Sequence, residues 1–198
     1  MIKTFVLLAA LTLATAAFAV ETGKPAPDFT GTDINGKTVK LGDYAGKIVV
    51  IESYNSVCPF CQNHYKTGAM QALQKELAAK NVVWLLVDSV NAKNFGYRAP
   101  EQARQEMAAQ KMNVTAWIDD SSGVIGHLYG METTPHMFVI DKSGTLVYDG
   151  AIDNQPDVDH DPAKARNYVR EAVDELVAGK PVAVSQTKPY GCSVKYAD

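Results

Sequence analysis

Short runs of β-branched and apolar residues alternate along this chain with longer stretches whose apolar residues recur every three or four positions. That alternation predicts an α/β architecture. The run 47–54, Lys-Ile-Val-Val-Ile-Glu-Ser-Tyr, reads as a buried strand, and 81–88 reads as another, continuously apolar between Asn81 and Asp88, as suits a parallel strand covered on both faces. Between them, Met70, Leu73 and Leu77 recur at helical spacing within a segment that begins near Cys58. Thr67-Gly68 interrupts that helix and predicts a kink, with Thr67 capping its second half. Upstream, Pro25 and Pro27 mark an extended lead-in, and Asn35-Gly36 predicts the turn of a β-hairpin. Downstream come a helix over 101–111 behind Pro100, a strand at 115–119 and a short helix ending near Gly130. Strands 136–140 and 145–148 follow, joined by Asp141-Lys142-Ser143-Gly144. A last helix is predicted with Asp161 as N-cap, Pro162 in its first turn and Gly179 beyond its end, its apolar stripe running through Ala165, Val169, Val173 and Val177.

The first 19 residues have a different character. Lys3 supplies a positive start, Phe5 to Ala16 an apolar core, and Ala17-Phe18-Ala19 a small-residue cleavage signal, which together read as a signal peptide. The apolar run is shorter than the roughly 20 residues that a membrane-spanning helix needs. The chain is therefore divided into a signal peptide at 1–19, one domain at 20–180, and a C-terminal tail at 181–198 that docks on it. Tyr190, Val194 and Tyr196 in the tail favour burial over solvent. The net charge of −3 becomes one unit more negative when Lys3 is removed, and no basic patch suggests nucleic acid or an anionic membrane surface.

The candidate chemistry lies at Cys58-Pro59-Phe60-Cys61, where the buried strand hands over to the helix. A helix N-terminus presents free N–H groups and partial positive charge, so it stabilises a thiolate at the first cysteine. The thiolate attacks a disulfide, and the second cysteine resolves the mixed disulfide that forms. Glu52 lies six residues before Cys58 in an otherwise apolar strand. Desolvation there raises its pKa toward the range useful for taking a proton from the second thiol.

The strand, acidic residue, Cys-x2-Cys and helix resemble the thioredoxin superfamily. The segment Thr133-Thr134-Pro135-His136, leading into an apolar strand, is similar to that of secreted reductases of the TlpA/ResA type and of the wider redoxin group. The resemblance covers roughly residues 22–178. It implies an α/β, thioredoxin-like, three-layer fold: a central mixed β-sheet flanked by helices, with an N-terminal β-hairpin. It also implies a cis bond before Pro135, and a substrate-facing role for Thr134 and Pro135 beside the cysteines. Two departures stand out. Val57 occupies a position that is aromatic in many members. Peroxiredoxins, which share the fold, resemble a pattern with Pro and Thr or Ser where this chain has Ile51 and Asn55.

Other groupings compete for a role. Asp157, Asp159 and Asp161 begin like a calcium loop, but Pro162 and Tyr168 stand where such a loop needs Gly and Glu. Cys58, Cys61, His64 and His136 could form a copper site, since thiolate and imidazole suit copper; the thioredoxin-like copper chaperones they resemble use a longer Cys-x3-Cys spacing. His64 reads as a surface residue, and His127 and His160 show no partner. Three cysteines are an odd number, which leaves Cys192 as a candidate third redox thiol. The reading is an exported thiol–disulfide oxidoreductase, periplasmic or secreted, acting as a reductase on protein substrates. Cys58 is the nucleophile and the more exposed and more acidic thiol, Cys61 the resolving thiol and Glu52 the proton-transfer group. No metal or cofactor is needed, because the dithiol is the redox group, whereas a redox partner protein is implied. The alternatives are a copper-binding metallochaperone and a peroxidase using Cys58 and Cys192.

Overall fold

The computed structural model describes residues 20–197; the signal-peptide reading of 1–19 lies outside them. A hairpin of β1 (Thr30–Asp33) and β2 (Thr38–Lys40) turns at Asn35-Gly36 and is followed by a 3-10 turn at Leu41–Tyr44. Next come β3 (Val49–Ser53), α1 (Pro59–Lys66), α2 (Ala69–Ala79), β4 (Val83–Asp88), α3 (Pro100–Ala109), β5 (Ala116–Asp119) and α4 (Val124–Tyr129). The short β6 (Thr133–Thr134) precedes β7 (His136–Ile140), β8 (Leu146–Gly150), α5 (Tyr168–Val177) and, in the tail, β9 (Cys192–Ser193).

Seven strands form one mixed sheet in the order β2-β1-β5-β4-β3-β7-β8, and β6 pairs with β9 in a second, two-stranded ribbon. β3 lies inside the sheet, parallel to β4 on one side and antiparallel to β7 on the other. The period-two alternation of a strand sorts its side chains between two cores. Val50 faces the layer that includes Met70, Leu73, Val169 and Val173, while Val49 and Ile51 face the layer of Ile125, Tyr129 and Phe138. Glu52 shares the parity of Val50 and Tyr54 and so points toward the helix that carries the cysteines. This is the thioredoxin-like α/β fold, with helices on both sides of a mixed sheet.

One helix start and one helix cap differ from those read in the sequence. α5 begins at Tyr168 rather than after Asp161, because Asn167 is the cap: its side chain accepts a 2.8 Å bond from Arg170 N. Upstream, Arg166 N bonds Asn154 Oδ1 and Tyr168 N bonds Ile152 O, which ties 154–167 into a loop. The kink between α1 and α2 falls where expected, but Thr67 does not cap α2. Its hydroxyl instead donates back to Asn63 O and His64 O, closing the end of α1.

Gly68 makes the break possible, with φ of +79° and no atom within 4 Å of where a Cβ would stand. Gly68→Ala should therefore cost about 1–2 kcal/mol through backbone strain alone, read by denaturant unfolding, with Gly68→Asn costing less. An unchanged midpoint in the alanine variant would remove the left-handed turn as the reason for glycine.

Candidate active site

Local sequence builds the turn that presents the first cysteine. Asn55 Oδ1 accepts from Val57 N at 3.0 Å, and Asn55 O from Cys58 N at 3.1 Å. Cys58 is in extended conformation as the N-cap of α1, its carbonyl accepting the first helical bond from Gln62 N, with Pro59 in the first turn. One helical turn then places Cys61 on the inner side, fully buried.

Cys58, expected from sequence to be the more exposed thiol, is buried almost as completely as Cys61. Only 1% of Cys58 reaches solvent, because the C-terminal tail lies across it. As a thiol it donates to Thr134 O at 2.9 Å. Hydrogen bonding from Cys61 is the main influence holding its pKa down, to about 4, against the cost of burial, with further help from Cys192 and Thr134. Deprotonation removes the bond to the Thr134 carbonyl, so the thiolate rests on those donors instead. Cys61 moves the other way: burial raises its pKa well above the ordinary thiol value, and Cys58 and Glu52 add to that. The peptide bond between Thr134 and Pro135 is cis.

Glu52 has no solvent exposure. Trp84 Nε1 donates to its Oε2 at 2.8 Å, Tyr65 Oη lies 3.0 and 2.9 Å from its two oxygens, and Gln74 Nε2 donates to Tyr65 Oη at 3.0 Å. Burial raises the carboxyl to about 7, although the Trp84 and Tyr65 bonds pull it down. Tyr65, Gln74 and Trp84 were not singled out in the sequence. Their only sequence signal is that a strand carboxylate needs donors, which the opposing helix and the next strand must supply.

The histidines depart from expectation. His64 is buried at 2% exposure, with Nε2 3.4 Å from Tyr190 Oη and 3.9 Å from Asp153 Oδ2. Burial lowers its pKa to about 4. His160 bonds Asp153 Oδ2 at 3.0 Å, and His127 stacks on Tyr196. His136 takes Glu132 N on Nδ1 and bonds Asp149 through Nε2 at 2.7 Å. Among the described residues, the His, Cys or acidic side chains that converge closely enough to share a metal ion are His64, Asp153 and His160, a group without either cysteine. The four-residue copper set is therefore not assembled. Cys192 is opposite Thr134 in the β6–β9 ribbon. Burial, then Cys58, raise its pKa to about 12, with Lys195 opposing.

The AhpC/TSA family model matches residues 22–149. The chain belongs to the AhpC/TSA family. Thiol-disulfide oxidoreductase ResA of Bacillus thuringiensis is 29% identical over 132 residues, covering 65% of this chain and 68% of that one. An uncharacterized conserved protein from Geobacillus kaustophilus superposes with a TM-score of 0.78 at 25% identity, covering 89% of this chain and 93% of that one. A putative thiol:disulfide interchange protein DsbE from Chlorobium tepidum has a TM-score of 0.56 at 23% identity, covering 81% and 98%. This AhpC/TSA-family protein is a thioredoxin-like thiol–disulfide oxidoreductase. Among its described residues no helix is long and apolar enough to cross a membrane.

The raised carboxyl makes stability depend on pH with a definite sign. Glu52 favours folding while protonated, so its contribution is full below the unfolded pKa near 4.5 and is lost as pH rises through about 7. Under reducing conditions Glu52→Gln should gain about 3 kcal/mol on the unsubstituted protein between pH 4.5 and 7.5, read by urea unfolding. A stability difference that stays constant over that range would contradict the assignment.

Proposed function

We propose that this protein is an exported reductase that exchanges its Cys58–Cys61 dithiol with disulfides in other proteins. The observation that carries the reading is a buried carboxyl with a raised pKa, close enough to raise the pKa of the inner thiol of a Cys-x2-Cys pair at a helix start. Cys58, as the low-pKa thiolate, attacks a substrate disulfide, and one substrate sulfur leaves as thiolate. Cys61 then loses its proton toward Glu52 and attacks Cys58 Sγ, which releases the second substrate thiolate and leaves Cys58–Cys61 oxidised. Thr134 and Pro135, next to the Cys58 sulfur, are the segment facing the substrate. Export follows from the leader-like residues 1–19, and an oxidised enzyme outside the cytosol needs a partner protein that returns electrons to it.

The raised Cys61 pKa supports the reducing direction: a high-pKa thiol is a poor leaving group and, once deprotonated, a strong nucleophile. One observation favours the opposite direction. A Cys58 pKa near 4 stabilises the dithiol form, which makes the pair more oxidising. The reduction potential separates the two, with a reductase lying near about −270 mV and a strong oxidant near about −120 mV.

With Cys192 also replaced by serine, Cys61→Ser should accumulate mixed disulfides through Cys58 when offered a disulfide-bonded protein such as insulin, and Cys58→Ser should accumulate few. Both variants should lose insulin turnover. Equal trapping by the two variants would overturn the assigned roles.

A further inference from the structure

The tail does more than cover apolar surface. Thr187 N bonds Asp149 O, and Tyr190 donates to Asp153 Oδ1 at 2.6 Å while its ring meets Phe60 of the Cys-x2-Cys pair edge-on. The chain then crosses the redox site as β9, antiparallel to β6, with Cys192 opposite Thr134 and Ser193 opposite Thr133. Beyond it, Val194 N bonds Glu132 O, Asn91 N bonds Lys195 O, and Tyr196 donates to Met131 O while stacking on His127. The segment is thus anchored on both sides of its cysteine.

Gly191 reveals how close the approach is. Its φ is +140°, and a Cβ there would stand 2.1 Å from Thr134 O. Only glycine lets the backbone come this near, and Thr134 O is the same carbonyl that contacts Cys58 Sγ. The cysteine that follows Gly191 stands opposite Thr134 in the ribbon and is near enough to Cys58 to help lower its pKa. An extended segment is therefore pressed along β6, with its cysteine delivered to the nucleophile.

We propose that the tail is an internal substrate: it fills the place beside β6 where an extended, cysteine-bearing segment of another protein pairs, and Cys192 exchanges with the Cys58–Cys61 disulfide. The proposal rests on the exchange chemistry assigned to Cys58 and Cys61 above. In the oxidised protein, Cys192 gives up its proton and attacks Cys58 Sγ. The Cys58–Cys192 bond forms as the Cys58–Cys61 bond breaks, and Cys61 leaves as a thiolate that takes up a proton. One disulfide and one thiol stand on each side, so no outside oxidant or reductant is required. Oxidation of Cys58 also removes the thiolate charge that contributes to the raised pKa of Cys192, while Lys195 remains to favour its ionisation.

Two consequences follow for outside substrates. Cys58, at 1% exposure, is reached only after the tail leaves β6, so a protein substrate competes with the tail. The segment that competes best is extended and has glycine before its cysteine, as Gly191-Cys192-Ser193 does.

The test uses the processed full-length protein. Disulfides of the oxidised form, trapped by acid and mapped by non-reducing peptide mass spectrometry, should contain Cys58–Cys192 beside Cys58–Cys61, and oxidised Cys61→Ser should contain Cys58–Cys192 almost alone. In the reduced protein, Gly191→Val should speed alkylation of Cys58 by about tenfold or more, since exposure governs thiol reactivity, while Cys192→Ser should change it less than about twofold. A map without Cys58–Cys192 in either the unsubstituted protein or Cys61→Ser would overturn the proposal, even if insulin is reduced. Formation of Cys58–Cys192 without any turnover of insulin would leave the internal exchange standing and overturn the reductase reading instead. If Gly191→Val does not fold, as judged by circular dichroism, the two disulfide maps decide alone.

Discussion

A carboxyl group buried in β3, an inner strand of the sheet, is the constraint on which this site depends. Burying an ionised Glu without partners costs several kcal/mol, so the group must find donors, hold a proton, or both. Here it does both. Trp84 from the neighbouring strand and Tyr65 from α1 converge on Glu52, and Gln74 from α2 fixes Tyr65. The same hydrogen bonds that make the carboxyl tolerable also lock α1 onto the sheet. The helix that carries Cys61 is therefore held in place by the group proposed to handle its proton.

The thiols divide along the same axis. Cys58 sits at the helix start, where Cys61, Cys192 and Thr134 can all stabilise its charge, and Cys61 sits one turn further in, where burial opposes charge. Opposite shifts in two groups this close suit the proposed division between an attacking and a resolving sulfur. The tail adds a third sulfur beside Cys58, that of Cys192 opposite Thr134.

Much of this was legible in the sequence because it is local. The β-branched run around Glu52, the apolar run of β4 and the Cys-x2-Cys between them fix the central unit, and Asn35-Gly36 fixes the hairpin. The misreadings come from long-range competition. Asp161-Pro162 carries a helix-start signal, yet the loop bonds of Asn154 and Ile152 hold that stretch out of α5 and leave the cap to Asn167. His64 has no nearby partner in sequence, and its surroundings come from Asp153, His160 and Tyr190. Tyr190 and Tyr196 signalled that the tail docks, but not that Cys192 would align with Thr134. That register rests on the backbone freedom of Gly191, which composition does not reveal.

Transfer of the Cys61 proton to Glu52 is the step on which the proposed exchange depends. The direct measurement is the single-turnover rate at which Cys61 displaces a chromogenic thiol from a preformed mixed disulfide on Cys58, followed from pH 5 to 9 in the unsubstituted protein and in Glu52→Gln. The rate in the unsubstituted protein should rise with an apparent pKa near 7. Glu52→Gln should lose that inflection and fall by about a hundredfold at neutral pH, the scale of a lost general base. The same profile and rate in both proteins would show that Glu52 takes no part in the proton transfer.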